Sequence, residues 1–422
     1  MTPPERGGWN LSAVRSQFPT LSARIEGKRL VYLDSACTAL KSRRMVERLR
    51  RFYLDWAGCG GRRSAHALSQ RAEAAVQQAR ATVARFINAE KPEEIVFTSG
   101  TTAAANLVAR AFPYERRRRE VVISAIEHNS LLLPFCDAAR RGEIVLRFCP
   151  IRDGRPDEAA LARLITSRTA LVVMTHASNV LGGTLSVERA TRLAHEQGAK
   201  ILVDDAQYLS SHREDVRAID VDFVVFSAHK LGGPFGVGAL YGKEHLLNRL
   251  RNYEVGGGTV QDVVWRRRRP EPTFLDAPYR FEAGVRDLAG VAAFAEAVDL
   301  LTSWSAPQLR AHIRALVRRA VRRLRAFADV AIVGDPRGLE EGALVSFHCR
   351  HPRFSLRDFA VYLDDGVPGR VIAARLGEHC AHLLHRQLGL AGTARISFFA
   401  YTAPDEIDMF ADALGAYLED IS

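Results

Sequence analysis

Lysine is scarce in this chain: only six of its 59 basic residues are lysines, and the rest are arginines. The net charge of +11 is therefore an arginine excess, with runs at residues 116–119 and 266–269. These runs read either as solvated surface or as docking points for an acidic partner or anionic substrate. Basic and aromatic residues are not interleaved and no nucleic-acid-binding motif occurs, so no nucleic-acid partner is expected. CxxC pairs are absent. The six cysteines (Cys37, Cys59, Cys136, Cys149, Cys349 and Cys380) are scattered, which argues against a zinc ribbon and a disulfide framework. In a reducing cytosol most of them are expected to be small core residues, with Cys380 set apart below. No apolar run reaches the roughly 18 residues of a membrane helix. Residues 1–8 hold no apolar stretch of the signal-peptide kind. The expectation is a cytoplasmic protein without a membrane partner. Internal repeats and long low-complexity segments are missing too.

What is present is an ordinary globular composition, 47% hydrophobic and 25% charged, over 422 residues, enough for two domains. From about residue 94, short β-rich runs alternate with amphipathic stretches. Strands are expected at 94–98, 120–124, 171–175, 201–204 and 223–227, with helices between them, as at 103–111 and 187–197. Most of these strands are uninterrupted apolar runs, the pattern of strands covered on both faces. The alternation implies a mostly parallel, doubly wound α/β sheet, in which ligands bind beyond the carboxyl ends of the strands. After about residue 290 long helices are expected at 288–303 and 307–328. Strands follow at 344–348, 371–374 and 394–400, and a closing helix at 404–418, forming a smaller α+β unit.

Each strand end in the large unit carries polar residues. Ser99, Gly100, Thr101 and Thr102 open a helix and could cradle a phosphate, although an ordinary cap would look the same. His128, after Glu127, could stack on an aromatic ring or be a plain loop histidine. Asn179 precedes two glycines that permit close backbone approach. Asp204 at a strand end needs a partner, for which a protonated pyridine nitrogen serves; a helix-capping role is the alternative. Gln207 lies three residues on. Ser227, His229 and Lys230 then stand between an apolar strand and Leu231, Gly232 and Gly233. A lysine there suits imine chemistry with an aldehyde cofactor, and its serine and histidine neighbours suit that cofactor's phosphate.

In this order the residues resemble the class V aminotransferase group of fold-type I pyridoxal phosphate enzymes, and most of all the SufS-type cysteine desulfurases and selenocysteine lyase-like members. The resemblance runs from Val31 to the C-terminus. It implies an aspartate aminotransferase-like large domain with a sheet of the seven-stranded type at 31–290, a small α+β domain at 291–422, and an N-terminal segment, 1–30, packed with the small domain. It also implies pyridoxal 5'-phosphate as cofactor and a homodimer. By the resemblance Lys230 is the imine lysine, Asp204 pairs with the pyridine nitrogen and His128 stacks on the ring. Gln207 and Asn179 address the ring oxygen and substrate side, and Thr101, Thr102, Ser227 and His229 hold the phosphate. Arg395 matches the arginine that clamps the substrate carboxylate, a fork-shaped task.

The segment from Arg375 to Cys380 matches the one carrying the family's nucleophilic cysteine. A thiolate there would take sulfur from a cysteine-like substrate, leaving a persulfide on the enzyme and alanine as product, with a sulfur-acceptor protein downstream. Arg375 and His379 are expected to lower the Cys380 pKa. The alternative is another class V enzyme (a C–S lyase, selenocysteine lyase, aminotransferase or epimerase) in which Cys380 is not the nucleophile. The chain departs from the familiar pattern at Leu376 for threonine and at Glu378 for histidine, whose carboxylate would raise the thiol pKa. It also departs at Val285 for the threonine that contacts the neighbouring subunit's cofactor phosphate, where Arg286 could supply a charge instead, and at Cys37 for alanine.

Overall fold

The computed structural model describes residues 9–60, 65–152, 154–335 and 338–422. Residues 1–8, read above for a signal peptide, lie outside the described residues. The centre is a seven-stranded sheet. In chain order its strands are β1 (Ile95–Thr98), β2 (Glu120–Ser124), β3 (Val145–Cys149), β4 (Thr169–Thr175), β5 (Lys200–Asp204), β6 (Phe223–Ser227) and β7 (Gly238–Gly242). Their spatial order is β1-β7-β6-β5-β4-β2-β3. Every neighbouring pair is parallel except the two made by β7, which runs antiparallel to both β1 and β6. The five expected strands are all present within a residue or two. The sequence pass did not name β3, whose burial is mixed, or β7, whose two glycines give it little β character.

Strands β2, β4, β6 and β7 are buried along their whole length. Helices cover both faces, which is why Val121, Val122 and Ile123 form a run instead of alternating with polar residues. Because the strands are parallel, Thr98, Ser124, Thr175, Asp204 and Ser227 all end at one edge. Strand β7 brings two of these ends together: its first residue, Gly238, pairs with both Thr98 and Ser227. A side chain at Gly238 would meet the Gly100 Cα at 2.5 Å, so glycine is what lets the 98–101 turn lie against Ser227.

The C-terminal part holds an antiparallel four-stranded sheet in the order Val330–Val333, Leu344–Cys349, Thr393–Ser397, Arg375–Gly377. The helices Ala306–Leu324 and Pro404–Asp420 pack together, tied by Arg319 and Arg323 to Asp408. The strand expected near 371–374 does not join this sheet. It forms at Arg370–Ala373 and pairs in parallel with Lys28–Tyr32. The N-terminal segment is held to the C-terminal part by Arg15 on Glu406 (3.0 Å) and by Phe18 against Phe399, Tyr401 and Trp304.

The expectation that most cysteines are core residues is corrected: only Cys149 is buried, Cys59 and Cys380 are exposed, and the other three are intermediate. Cysteine's small size permits burial, but position in the fold decides it. All six are free thiols. The arginines at 266–269 cap an exposed hairpin (Val260–Arg266 with Arg269–Phe274), with Arg267 and Arg268 at positive φ. Among the described residues, no helix is long and apolar enough to cross a membrane.

Candidate active site

A cleft with about 670 Å³ of empty space, solvent at its mouth included, opens where the strand ends meet the C-terminal part. All twelve residues singled out from the sequence (Thr101, Thr102, His128, Asn179, Asp204, Gln207, Ser227, His229, Lys230, Arg375, Cys380 and Arg395) line it. They come from five strand ends of the sheet and, in the C-terminal part, from two strands and the loop after Arg375–Gly377.

One corner is a helix N-terminus. Gly100 precedes the helix Thr101–Ala111 with φ of +143°, a conformation open to glycine and rarely to other residues. The Thr101 N–H donates to Ser227 Oγ at 2.8 Å, and the two hydroxyls lie 2.8 Å apart. Thr102 Oγ1 donates to Ser130 Oγ at 2.7 Å. His229 Nδ1 is buried without a partner. Hydroxyls, a helix N-terminus and an orphaned imidazole nitrogen form an anion cradle.

In the middle, Asp204 is buried and Lys230 is half-buried. Burial pushes the Lys230 ammonium pKa down, and Asp204 works against that shift. Burial pushes the Asp204 carboxyl up, opposed by Lys230 and by the Ala206 N–H, which donates to Asp204 Oδ1 at 2.9 Å. His128 caps the helix Asn129–Arg140 by accepting from the Ser130 N–H at its Nδ1, 3.1 Å away. Burial, then Lys230 and Arg395, hold its pKa down at about 3. It is therefore a neutral ring, suited to stacking.

At the far end Arg395 is nearly fully buried. Its Nη2 donates to Asp34 Oδ1 and its Nη1 to the Asn179 carbonyl, both at 3.0 Å, while Nε has no partner. Asn179 Nδ2 donates in turn to the His379 carbonyl at 2.8 Å, and the Asn129 N–H to the Cys380 carbonyl at 2.7 Å. These bonds hold a loop in which His379 and Cys380 both take left-handed backbone (φ 49° and 54°), sparsely populated for such residues. The exposed Cys380 thiol stands at the mouth of the cleft.

One expectation about this neighbourhood is corrected, and two side chains noted in the sequence have partners. His379 does not lend positive charge to Cys380: burial, then Arg395 and His385, push its pKa down to about 3, and its Nε2 bonds Thr393 Oγ1 at 2.9 Å. The Glu378 carboxylate is paired with His382 Nε2 at 3.3 Å. Arg286 is not a free charge, because it is bound to Glu282. Sequence reasoning also passed over Asp34, Ser130 and Lys41. Lys41 Nζ donates to the His229 carbonyl at 3.0 Å and lies over the Phe235 ring. Only Ser130 had a local signal, as the second residue after His128 at a helix start.

The donor set fits pyridoxal phosphate: an anion cradle with an orphaned nitrogen, a half-buried amine, a buried carboxylate for a ring nitrogen, and a neutral ring beside them. Fold and site together define a pyridoxal phosphate enzyme of fold type I. The chain belongs to the aminotransferase class-V family, whose model matches residues 31–410. It is 38% identical to a probable cysteine desulfurase of Halobacterium salinarum, over 97% of both chains. It is 37% identical to a cysteine desulfurase of Dickeya dadantii, over 96% of both. The cysteine desulfurase CsdA of Escherichia coli superposes with a TM-score of 0.88 at 32% identity, covering 99% of this chain and all of that one.

Proposed function

We propose that this protein is a cysteine desulfurase that uses pyridoxal 5'-phosphate and carries sulfur as a persulfide on Cys380. The observation that carries the reading is one exposed thiol at the mouth of the cleft that holds Lys230, Asp204 and Arg395. The relatives' names support it. Bound in the cleft, the cofactor supplies an electrophilic aldehyde and an electron-accepting ring.

The chain's own groups divide the rest of the work. Thr101, Thr102, Ser227 and His229 hold the phosphate. Asp204 would hold the ring nitrogen's proton at its carboxylate, His128 would lie against the ring, and Gln207 and Asn179 would address the ring oxygen and the substrate. Lys230 Nζ, its pKa lowered by desolvation, would take and return the substrate's protons. Arg395, kept in place by Asp34 and Asn179, receives the substrate α-carboxylate, and Arg375 adds positive charge at the mouth. Cys380 takes the sulfur from the cysteine side chain, and alanine leaves.

The same reading makes the protein a cytoplasmic homodimer that passes sulfur to an acceptor protein. It divides the chain into residues 1–30, 31–290 and 291–422. The test is product analysis with cysteine. The wild type releases alanine, with sulfide when a reductant is present, and Cys380→Ala retains cofactor absorbance but loses alanine formation by about 100-fold or more. Pyruvate and ammonia in place of alanine, or an undiminished Cys380→Ala enzyme, would show a different class V reaction.

A further inference from the structure

The cleft has two thiols. Cys37 lines it as well, half-buried, on the loop between the strand Lys28–Tyr32 and the helix Arg43–Asp55. That loop is pinned at each step. The Ala36 N–H donates to Ser397 Oγ at 2.9 Å, and the Ala36 carbonyl accepts from Gln207 Nε2 at 2.8 Å. The Cys37 N–H donates to the Asp34 carbonyl at 3.0 Å, and Thr38 Oγ1 donates to the His229 carbonyl at 3.1 Å. The loop that carries Cys37 is therefore held by the strand ends on one side and the C-terminal sheet on the other.

Its surroundings are polar and charged. The Asp34 carboxylate, which pairs with Arg395, lies close enough to Cys37 for the thiol to favour its ionised form. Negative charge on either Cys37 or Cys380 favours the protonated form of Lys230, so both sulfurs sit in the field of the same half-buried lysine. Cys37 acts on Arg395 in the same way. None of the other four cysteines lines the cleft. Arg395 adds a buried Nε with no partner on the same wall.

We propose that Cys37 is a second sulfur carrier, which takes the outer sulfur of the Cys380 persulfide while it is still in the cleft; this rests on the desulfurase reading above. As the Cys37 sulfur attacks the outer sulfur of Cys380–S–SH, its thiol proton passes to Asp34. A new S–S bond joins Cys37 to that sulfur, the old S–S bond breaks, and Cys380 leaves as a thiolate near Lys230. The outer sulfur keeps its hydrogen. One persulfide is consumed and one is formed, so the exchange requires no oxidant or reductant. The added sulfur extends Cys380 by about 2 Å, the reach on which the exchange draws. Cys380 is then free for a second turnover, while the first sulfur waits on the less exposed thiol.

The test uses the holoenzyme with cysteine, without reductant or acceptor. The wild type should release about two alanines per chain in the initial burst, Cys37→Ala about one, and Cys380→Ala none. Mass spectrometry of non-reduced peptides should find one added sulfur on the Cys37 peptide as well as on the Cys380 peptide, and none on Cys37 in the Cys380→Ala variant. A wild type loaded only at Cys380, a Cys37→Ala burst still of about two, or equal loading of the exposed Cys59 overturns the proposal. Pyruvate in place of alanine overturns the desulfurase reading, and this proposal with it.

Discussion

Arg395 joins three parts of the chain through one guanidinium: Asp34 from the N-terminal loop, Asn179 from beyond β4, and the strand Thr393–Ser397 it stands on. Burial lowers its pKa, with Asp34 pulling the other way. The fork geometry matters more than the charge, because two nitrogens are already committed and a third, Nε, is held ready. Arg395→Lys should therefore raise the KM for cysteine by about 10- to 100-fold while changing kcat less, as steady-state kinetics will show. An equal loss in KM and kcat would mean that the fork acts mainly in the transition state. Asp34 was passed over in the sequence because an aspartate in a loop carries no signal of its own. Its partner is 361 residues away.

At the scale of elements, the proposed phosphate cradle depends on a turn that only glycine fits. Gly100 combines φ of +143° with a Cβ position 3.3 Å from Ser227 Oγ. Gly100→Ala forces strained backbone, costing on the order of 1–3 kcal/mol, and presses on the Thr101–Ser227 contact. The expected outcome is about tenfold weaker cofactor retention in an absorbance titration, with urea stability reduced by about that same 1–3 kcal/mol; unchanged retention would show that the cradle lies elsewhere. The Cys380 loop shows the reverse situation. His379 and Cys380 take the left-handed region although neither is glycine, and tertiary bonds from Asn129 and Asn179 hold them there. Nothing in the local sequence announces that conformation.

At the scale of the whole molecule, two buried charge clusters carry predictions. Arg80, on the helix Ala67–Phe86, is paired with Glu282 at 2.8 Å, and Glu282 also accepts from the Phe97 N–H at 2.7 Å. Glu282→Gln leaves Arg80 buried and without its counter-charge, at a cost of about 3–5 kcal/mol in urea unfolding. Arg286 on the same carboxylate adds to that loss. The second cluster joins His176 Nδ1 to Asp205 (3.0 Å) and Glu214 (2.9 Å), with His176 stacked on Tyr208. Burial alone would lower the His176 pKa, but hydrogen bonds to Asp205 and Glu214 raise it to about 9. A raised folded pKa means that the folded state binds the extra proton. This stabilisation is whole below about pH 6.5 and is lost as pH rises through about 9. Urea midpoints should fall across that window, and a flat profile from pH 6.5 to 9.5 would contradict the assignment.

The sequence alone determined the parallel sheet and the polar residues at its strand ends that line the cleft, from Thr101 to Lys230. Both are local facts: buried parallel strands write themselves as apolar runs, and a doubly wound sheet obliges the residues just after them to share an edge. Strands β3 and β7 escaped because mixed burial and glycine blur the pattern. What only the tertiary structure decided is the substrate side. Pairing of the strand Arg370–Ala373 with Lys28–Tyr32, and the Arg395 contacts to Asp34 and Asn179, bring both ends of the chain to the cleft. That closure buries His379 and keeps it neutral, turns Glu378 to His382, and places Cys37 in the cleft that also holds Cys380. Such charge states follow from burial and from partners hundreds of residues away, and neither can be read from spacing along the chain.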